Sequence, residues 1–367
     1  MLKIFFLIIL FIHGMIHILG FLKAFQLAEV NQLTQHISKP MGILWLIALM
    51  LFFTAVIQLI SNHNLWWITG LAGVILSQVL IILFWQDAKF GTIPNIIILI
   101  VTILAAANYF LERDYINAVD NNFKHNNPVT KEILTEADIQ HLPSIVQKYI
   151  RYTGSVGKEK VYNFKAEFSG GIRSNPGEEY MQLKSVQYNF MKNPTRLFYI
   201  EAKKMGIPAV GIHIYQNEKA AFKIKLLSLL TVVDANGEKM DQGETVTVFN
   251  DMCFMAPATL IDKRITWESI NDLTAKAIFT NGKIKISVIL YFNEKGELVN
   301  FVSNDRYETD GKDYNNYPWS TPVKSYININ GYRLPSGADL IYSRPDGEFT
   351  YGQFQLKDIK YNCSERE

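Results

Sequence analysis

The sequence predicts a multi-pass α-helical membrane region of four helices followed by a β-rich α+β domain, a large curved antiparallel sheet with packed helices. Three observations predict this. Of 367 residues, 49% are hydrophobic and only 19% are charged, whereas a soluble domain carries about 25% charge. The deficit is local: between Ile4 and Leu111 the only charges are Lys23, Glu29, Lys39, Asp87 and Lys89, and 32 of the 36 basic and 32 of the 34 acidic residues lie from Glu112 onward. Beyond Val161 the pattern changes to short alternating runs separated by Gly, Pro, Asn and Asp. The expected organisation is therefore 1–112 membrane region, 113–130 linker and 131–367 soluble domain. A wholly soluble enzyme and a disulfide scaffold are excluded. The balanced charge leaves no electrostatic footprint for nucleic acid.

The four apolar stretches are Ile4–Leu22, Met41–Ile60, Leu65–Trp85 and Ile93–Leu111, and none contains a charged side chain. Each approaches the ~20 residues a helix needs to cross a bilayer, where the backbone must satisfy its own hydrogen bonds. Pro40 and Pro94 fall at helix starts, where a missing N–H costs little. Trp45, Trp66, Trp67, Trp85 and Tyr109 fall toward predicted ends, as an interfacial belt would. The first stretch is too long for a signal-peptide core and has no A-x-A cleavage site, so it reads as a retained helix. An even helix count puts both termini on one side. Three basic residues flank each face (Lys3, Arg113 and Lys124 against Lys23, Lys39 and Lys89), so the positive-inside rule does not choose between orientations.

His13 and His17, at i and i+4, share one face of the first helix. Intramembrane ionisable residues are functional candidates, and such a pair suits a metal, haem or a proton relay. The competing reading is a neutral pair hydrogen-bonded to neighbouring helices, because a metal needs further ligands and no other stretch offers a histidine or carboxylate. Gly14 and Gly20 read as close-packing positions.

After an Asn-rich stretch that suits a linker or a short helical extension, Thr135-Glu-Ala-Asp138 resembles a capping box. Pro143 opens a second helix over 142–152, with Ile145, Val146, Tyr149 and Ile150 at helical spacing. Strands are expected at 161–169, 180–190, 196–203, 209–216, 219–226, 273–280, 284–292, 297–305, 321–330, 338–344 and 349–361, with Asn281-Gly282 the clearest hairpin signal. The stretch Gly243–Leu260 differs. Val246, Phe249, Cys253 and Pro257 fit an amphipathic helix that stops at the proline and packs inside the curved sheet.

Several motifs carry a resemblance: His13-Gly-Met-Ile-His-Ile-Leu-Gly20, Leu142-Pro, Tyr149-Ile-Arg151, Asn250-Asp-Met-Cys-Phe-Met-Ala-Pro257, Trp267-Glu268, and Asp305-Arg306 through Pro318-Trp-Ser-Thr-Pro322. The chain resembles a bacterial family of domains of unknown function with N-terminal membrane helices and one C-terminal β-rich domain. In outline it is similar to the lipoprotein-carrier architecture, a sheet bent around a lipid-binding cavity. The resemblance implies a multi-pass protein of the bacterial inner or plasma membrane, with the soluble domain outside the cytoplasm.

Six residues form the candidate ligand site. Asp305 and Arg306 read as a structural ion pair or as a clamp for an anionic headgroup. Trp319 lies in an aromatic loop with Tyr314 and Tyr317, fit to gate a cavity mouth. Asn250, Asp251 and Trp267, with Glu268, surround the inner helix, where such polar groups either face a ligand or cap and pair locally, the local role being the simpler reading. His213 sits in a strand and is able to point inward. Cys253 and Cys363 are the only cysteines; a bridge between them requires an oxidising compartment. No G-x-S-x-G, H-E-x-x-H, Walker A, G-x-G-x-x-G or C-x-x-C motif occurs, and no cofactor is expected. The leading expectation is a membrane-tethered binder of a lipid or another apolar molecule, with the bilayer, and in a second reading envelope proteins, as partners. An enzyme acting on an envelope lipid or glycan through Asp251, Glu268 or Asp305, and a sensor built on His13 and His17, are the remaining readings.

Overall fold

A computed structural model describes residues 2–126, 131–204, 206–309 and 312–366. The chain divides into two compact units between Arg113 and Asp114.

The first unit is helical: α1 (Leu2–Ile16), α2 (Ile18–Ala24), α3 (Lys39–Ile60), α4 (Trp66–Leu83), the short α5 (Trp85–Ala88) and the start of α6 (Thr92–Asn126). Four segments, Leu2–Ala24, Lys39–Ile60, Trp66–Leu83 and Trp85–Asn126, are long and apolar enough to cross a membrane. Their outward residues, among them Ile8, Ile57, Ile82 and Ile100, are exposed, as a lipid-facing surface requires. The first segment, expected as one helix, is broken at His17. There the backbone N–H bonds to Gly14 O at 3.0 Å, and the His17 ring Nδ1 takes the His13 carbonyl at 2.9 Å. The side chain replaces the backbone donor that a continuous helix would have used. Gly14 and Gly20 do permit close approach: a Cβ on Gly20 would fall 2.1 Å from the Trp45 ring. Trp45 itself is 3% exposed and packs inside the unit against His17 and Phe84, so it is not part of an interfacial belt.

In the second unit the last turns of α6 continue to Asn126, so residues 114–126 are helical; 127–130 lie outside the described residues. Then come α7 (Glu136–Ile139) and α8 (Ser144–Tyr152). The capping box at α7 forms, with the Asp138 carboxylate accepting from the Thr135 N–H at 2.8 Å. Ile145, Val146, Tyr149 and Ile150 of α8 are all buried.

Six strands follow as a meander: β1 (Asn163–Ile172), β2 (Met181–Phe190), β3 (Thr195–Lys204), β4 (Ile207–Gln216), β5 (Lys219–Leu226) and β6 (Leu230–Asn236). Helix α9 (Glu238–Met255) comes next, with a 3-10 turn at Pro257–Ile261. The remaining strands are β7 (Ile265–Asn271), β8 (Thr274–Asn281), β9 (Ile284–Phe292), β10 (Leu298–Ser303), β11 (Tyr307–Thr309), β12 (Tyr314–Asn316), β13 (Trp319–Ser320), β14 (Val323–Ile329), β15 (Tyr332–Arg344) and β16 (Gly347–Tyr361).

Fourteen strands make one antiparallel sheet in the order β6-β5-β4-β3-β2-β1-β16-β15-β13-β10-β9-β8-β7, with β14 added on β15; β11 and β12 pair separately. The sheet curls into a half-barrel with α9 inside it. β6 and β7, the two sheet edges, were not expected as strands. Each follows a single weak turn residue, Ser228 before β6 and Asp262 before β7, without glycine or proline. The segment Pro318–Pro322, expected as a loop, contributes β13 to the sheet interior.

The core joins α8, α9 and the inner faces of β7–β10. Phe249 stacks on Phe279 at 5.2 Å and 12°, and Tyr149 donates to the Cys253 carbonyl at 2.7 Å. The convex face of β2 and β3 is covered by the end of α6, where Tyr115 donates to Leu197 O and Phe123 packs on Tyr188 and Phe190. This is why β3 is buried on both faces from Thr195 to Ile200.

Candidate functional site

Strand alternation and one helix build the site. On β3, period 2 sends Arg196, Phe198 and Ile200 inward together. On β2, Gln187 and Asn189 face the same way, and on β4 His213 does. α9 begins at Glu238, earlier than the expected Gly243, and is buried around most of its circumference. Its Val246, Phe249 and Cys253 enter the apolar core. Its opposite stripe, Gly243, Glu244, Thr247, Asn250 and Asp251, borders a partly open cavity of about 950 Å³ within the half-barrel. The cavity walls are mostly apolar, with Phe168, Ile172, Phe198, Ile200, Phe222 and Ile224 among them.

Two guanidiniums mark the polar part of this cavity, and they are held differently. Arg196 is 6% exposed. It donates through Nε to Asp251 at 2.8 Å, through Nη1 to Glu244 at 2.8 Å and through Nη2 to Gln187 at 3.2 Å, and it lies 4.3 Å from the Phe198 ring centre. Asp251 Oδ2 also accepts from Gln187 at 2.9 Å and Asn189 at 3.0 Å. Burial pushes both carboxyls up, against the pull of Arg196. The same two carboxyls outweigh the burial of Arg196 and hold it protonated. His213 Nε2 lies 3.1 Å from Glu244 Oε2 but at an angle that makes no hydrogen bond. Burial first, then Arg196 and Arg306, push its pKa well below the usual value, so the ring is neutral near pH 7.

Arg306, by contrast, is held by hydroxyls and aromatic faces. Nε donates to Thr247 Oγ1 at 3.2 Å and Nη1 donates to the Tyr342 hydroxyl. Its guanidinium carbon lies 4.6 Å from the Trp319 ring centre, 5.6 Å from Tyr342 and 6.0 Å from Tyr351. Stacking of this kind orients a guanidinium without neutralising it.

A family model described as a family of unknown function, DUF6544, matches residues 132–354. The chain belongs to the DUF6544 family. The match takes in α7, α8, the cavity and both guanidiniums, and leaves the apolar helices outside it. No curated protein matches the sequence. Among solved structures, a DUF1329 family protein from Desulfovibrio piger aligns over 63% of this chain and 94% of its own at 10% identity, with a TM-score of 0.28. That likeness is too loose to transfer a function.

Within this DUF6544 chain, four of the six expected site residues meet at the cavity: Asn250, Asp251, Arg306 and Trp319. Asn250 donates to Thr321 at 2.8 Å, and the Trp319 indole donates to Tyr351 at 3.1 Å. Trp319 is 1% exposed, so it is a buried wall and not a mouth residue. Asp305 and Trp267 lie off the cavity wall. Asp305 accepts from the Ser287 N–H at 2.6 Å and from Gln242 at 3.3 Å, so it braces β9 and does not pair with Arg306. Trp267 donates to Leu260 O at 3.3 Å from the sheet edge. Glu268 is exposed and lies 3.6 Å from Lys276.

Sequence reasoning missed Arg196, Glu244, Gln187 and Asn189. The available signal was an arginine in phase with Phe198 and Ile200 on a strand. Cys253 and Cys363 are buried and not bonded to each other.

In the helical unit, His13 Nε2 lies 2.8 Å from Asn95 Oδ1 and 3.2 Å from Ser77 Oγ, and His17 Nε2 lies 2.9 Å from the same Ser77 oxygen. Asn95 also donates to Gln78 at 3.1 Å. The two histidines thus belong to a network of uncharged partners, the hydrogen-bonded alternative to a metal site. Among the described residues no cluster of three His, Cys, Asp or Glu could hold a metal ion.

Proposed function

We propose that the half-barrel binds a lipid, or a comparable apolar molecule with an anionic head, at the cell envelope. The observation that carries this reading is the cavity of about 950 Å³, apolar on most of its wall and polar at one side. That volume lies within the range of small-molecule sites, which combine apolar linings with a few placed polar groups. The chain of the ligand would lie against Phe198, Ile200, Phe222 and Ile224. Its head would meet Arg306, which donates to the Thr247 and Tyr342 hydroxyls and stacks on aromatic faces, with Glu244 acting on it only through space. Arg196 is already engaged by Glu244 and Asp251 and serves as the support beneath that head.

An enzymatic role finds less support. Asp251 is pushed up by burial, as an acid would be, but three donors fix its Oδ2. Such a carboxylate is a brace before it is a proton donor.

The reading is tested by growing cells with a diazirine-bearing phospholipid, irradiating, and mapping crosslinked peptides of the full chain. Crosslinks on β3 and β5 peptides, lost in Ile224→Glu and weakened in Arg306→Gln, are expected. Crosslinks confined to residues 2–111 would overturn it, because those helices meet lipid by themselves.

A further inference from the structure

The rim where β3, β4, β5 and β6 turn carries a feature that ligand binding does not use. The β5–β6 connection reads Leu226-Leu-Ser-Leu-Leu230, and the adjacent β3–β4 connection is flanked by Lys203, Lys204, Ile207 and Pro208. The two tips touch: the Leu227 N–H donates to Pro208 O at 2.9 Å, and Ala209 pairs with Leu226. Ile207 is 44% exposed, Leu229 44%, Leu230 63% and Val232 51%. Lys203 and Lys204 are exposed beside them. At the two tips themselves, 203–210 and 224–233, there are three lysines (Lys203, Lys204 and Lys225) and no carboxylate; Glu178 of the neighbouring β1–β2 connection acts on Lys204 through space.

The backbone is strained to make this display. Leu227 and Ser228 hold φ of +52° and +59°, in the left-handed region that an ordinary side chain enters at a cost of about 1 kcal/mol or more. The β14–β15 hairpin, by contrast, uses Asn330-Gly331, residues suited to it. Strain maintained at an exposed apolar tip points to a use for that tip.

We propose that this rim is a membrane-docking edge whose occupant is an anionic bilayer surface. Leucines enter the interface while the lysines meet the headgroups, the pairing of apolar and basic groups that binds anionic lipid. The lysines select an anionic occupant over a neutral or basic one, and the exposed leucines beside them, together with four helices in the same chain able to cross a bilayer, favour lipid over an acidic protein face. The rim also adjoins the cavity. Ile200, Gly211, Ile224 and Val233 are paired across β3 to β6 just inside it, and Ile200, Ile224 and Val233 line the cavity. A docked rim sets an open end of the half-barrel on the lipid. The proposal does not depend on the cavity holding a ligand.

The test uses the full chain reconstituted in bilayers containing phosphatidylglycerol. An environment-sensitive fluorophore is attached at Leu230→Cys, with Glu268→Cys at the far sheet edge as reference, and lipids carrying a shallow nitroxide act as quenchers. Loss of emission at position 230 and none at 268 is expected. The loss should shrink in Lys203→Glu/Lys204→Glu, in phosphatidylcholine bilayers and at high salt, where screening weakens surface attraction. The salt and lipid arms need no variant beyond the label. Absence of quenching at 230 in the anionic bilayer would overturn the proposal. So would rapid disulfide formation between copies through Leu230→Cys, which would assign the edge to a second copy of the chain.

Discussion

The two ends of the sheet obey one rule of alternation and enclose opposite things. Along β8 and β9, inward residues such as Ala275, Ala277, Phe279, Ile286 and Val288 are at most 1% exposed and meet α9 in a solid core. Along β3, β5 and β6, the inward Phe198, Ile200, Ile224 and Val233 border open space. The helix makes the difference. One stripe of α9 is shaped for the wall, with Phe249 flat on Phe279. The other stripe is small, polar or charged, and Glu244 and Asp251 take their hydrogen bonds mainly from Arg196 and the β2 amides. A cavity persists where a buried charge network, not a hydrocarbon surface, meets the opposite wall.

The strongest way to break this arrangement is Arg196→Ala. It strands two buried carboxyls, and removing one partner of a buried pair costs about 3–5 kcal/mol. With two carboxyls affected, the upper part of that range is expected as a lowered thermal midpoint of the full chain. The triple variant Arg196→Met, Glu244→Gln, Asp251→Asn should recover much of the loss. A triple variant no more stable than Arg196→Ala would show that the charges are not what the arginine serves.

A second pair of substitutions separates the filled half from the open half. Phe249→Ala removes a ring from a close-packed core, and such changes cost about 3–5 kcal/mol. Phe198→Ala removes the same ring from a cavity wall that already lacks neighbours on one side, and should cost clearly less while reducing lipid capture. Equal losses of stability in the two variants would mean that both halves are equally packed.

The contrast also explains what was legible in the sequence. Period-2 runs bounded by Asn-Gly or Pro-Asp-Gly located most central strands, because their turns must adopt conformations that few residues favour. Helical spacing located α8 and the core stripe of α9. Alternation reports which face is apolar, not whether the space behind it is filled, so the cavity itself was not readable. β6 escaped because Leu-Leu-Ser-Leu-Leu carries a lone serine and no Gly, Pro, Asn or Asp, and β7 because an edge strand with mostly exposed residues has weak patterning. Asp305 and Arg306 are neighbours in sequence, yet adjacent strand-end residues point apart. One braces β9 and the other enters the cavity.

His213 offers a smaller and more specific probe of the open half. Its folded pKa lies well below 6.5, from burial and two guanidiniums. On acidification the unfolded chain takes up this proton before the folded one does, so stability falls as pH drops below about 6.5. The slope contributed by one such group approaches about 1.4 kcal/mol per pH unit. His213→Gln should flatten the thermal midpoint between pH 6.5 and 5 relative to the native chain. An unchanged slope would place the acid sensitivity elsewhere.

The smallest expected effect concerns the rim of the open half, and its sign runs against the others. Leu227→Asn places a residue that tolerates positive φ where the chain now holds leucine at +52°. Relief of that strain should raise stability by roughly 1 kcal/mol, seen as a higher thermal midpoint. The same change removes one half-buried leucine beside the exposed tip, so quenching at position 230 should decline in anionic bilayers. A gain in stability with a loss of docking is the signature of a turn kept strained for contact with lipid. If the variant is more stable and docks as before, the strain is unrelated to the membrane, and the lysines and the remaining leucines carry the docking by themselves.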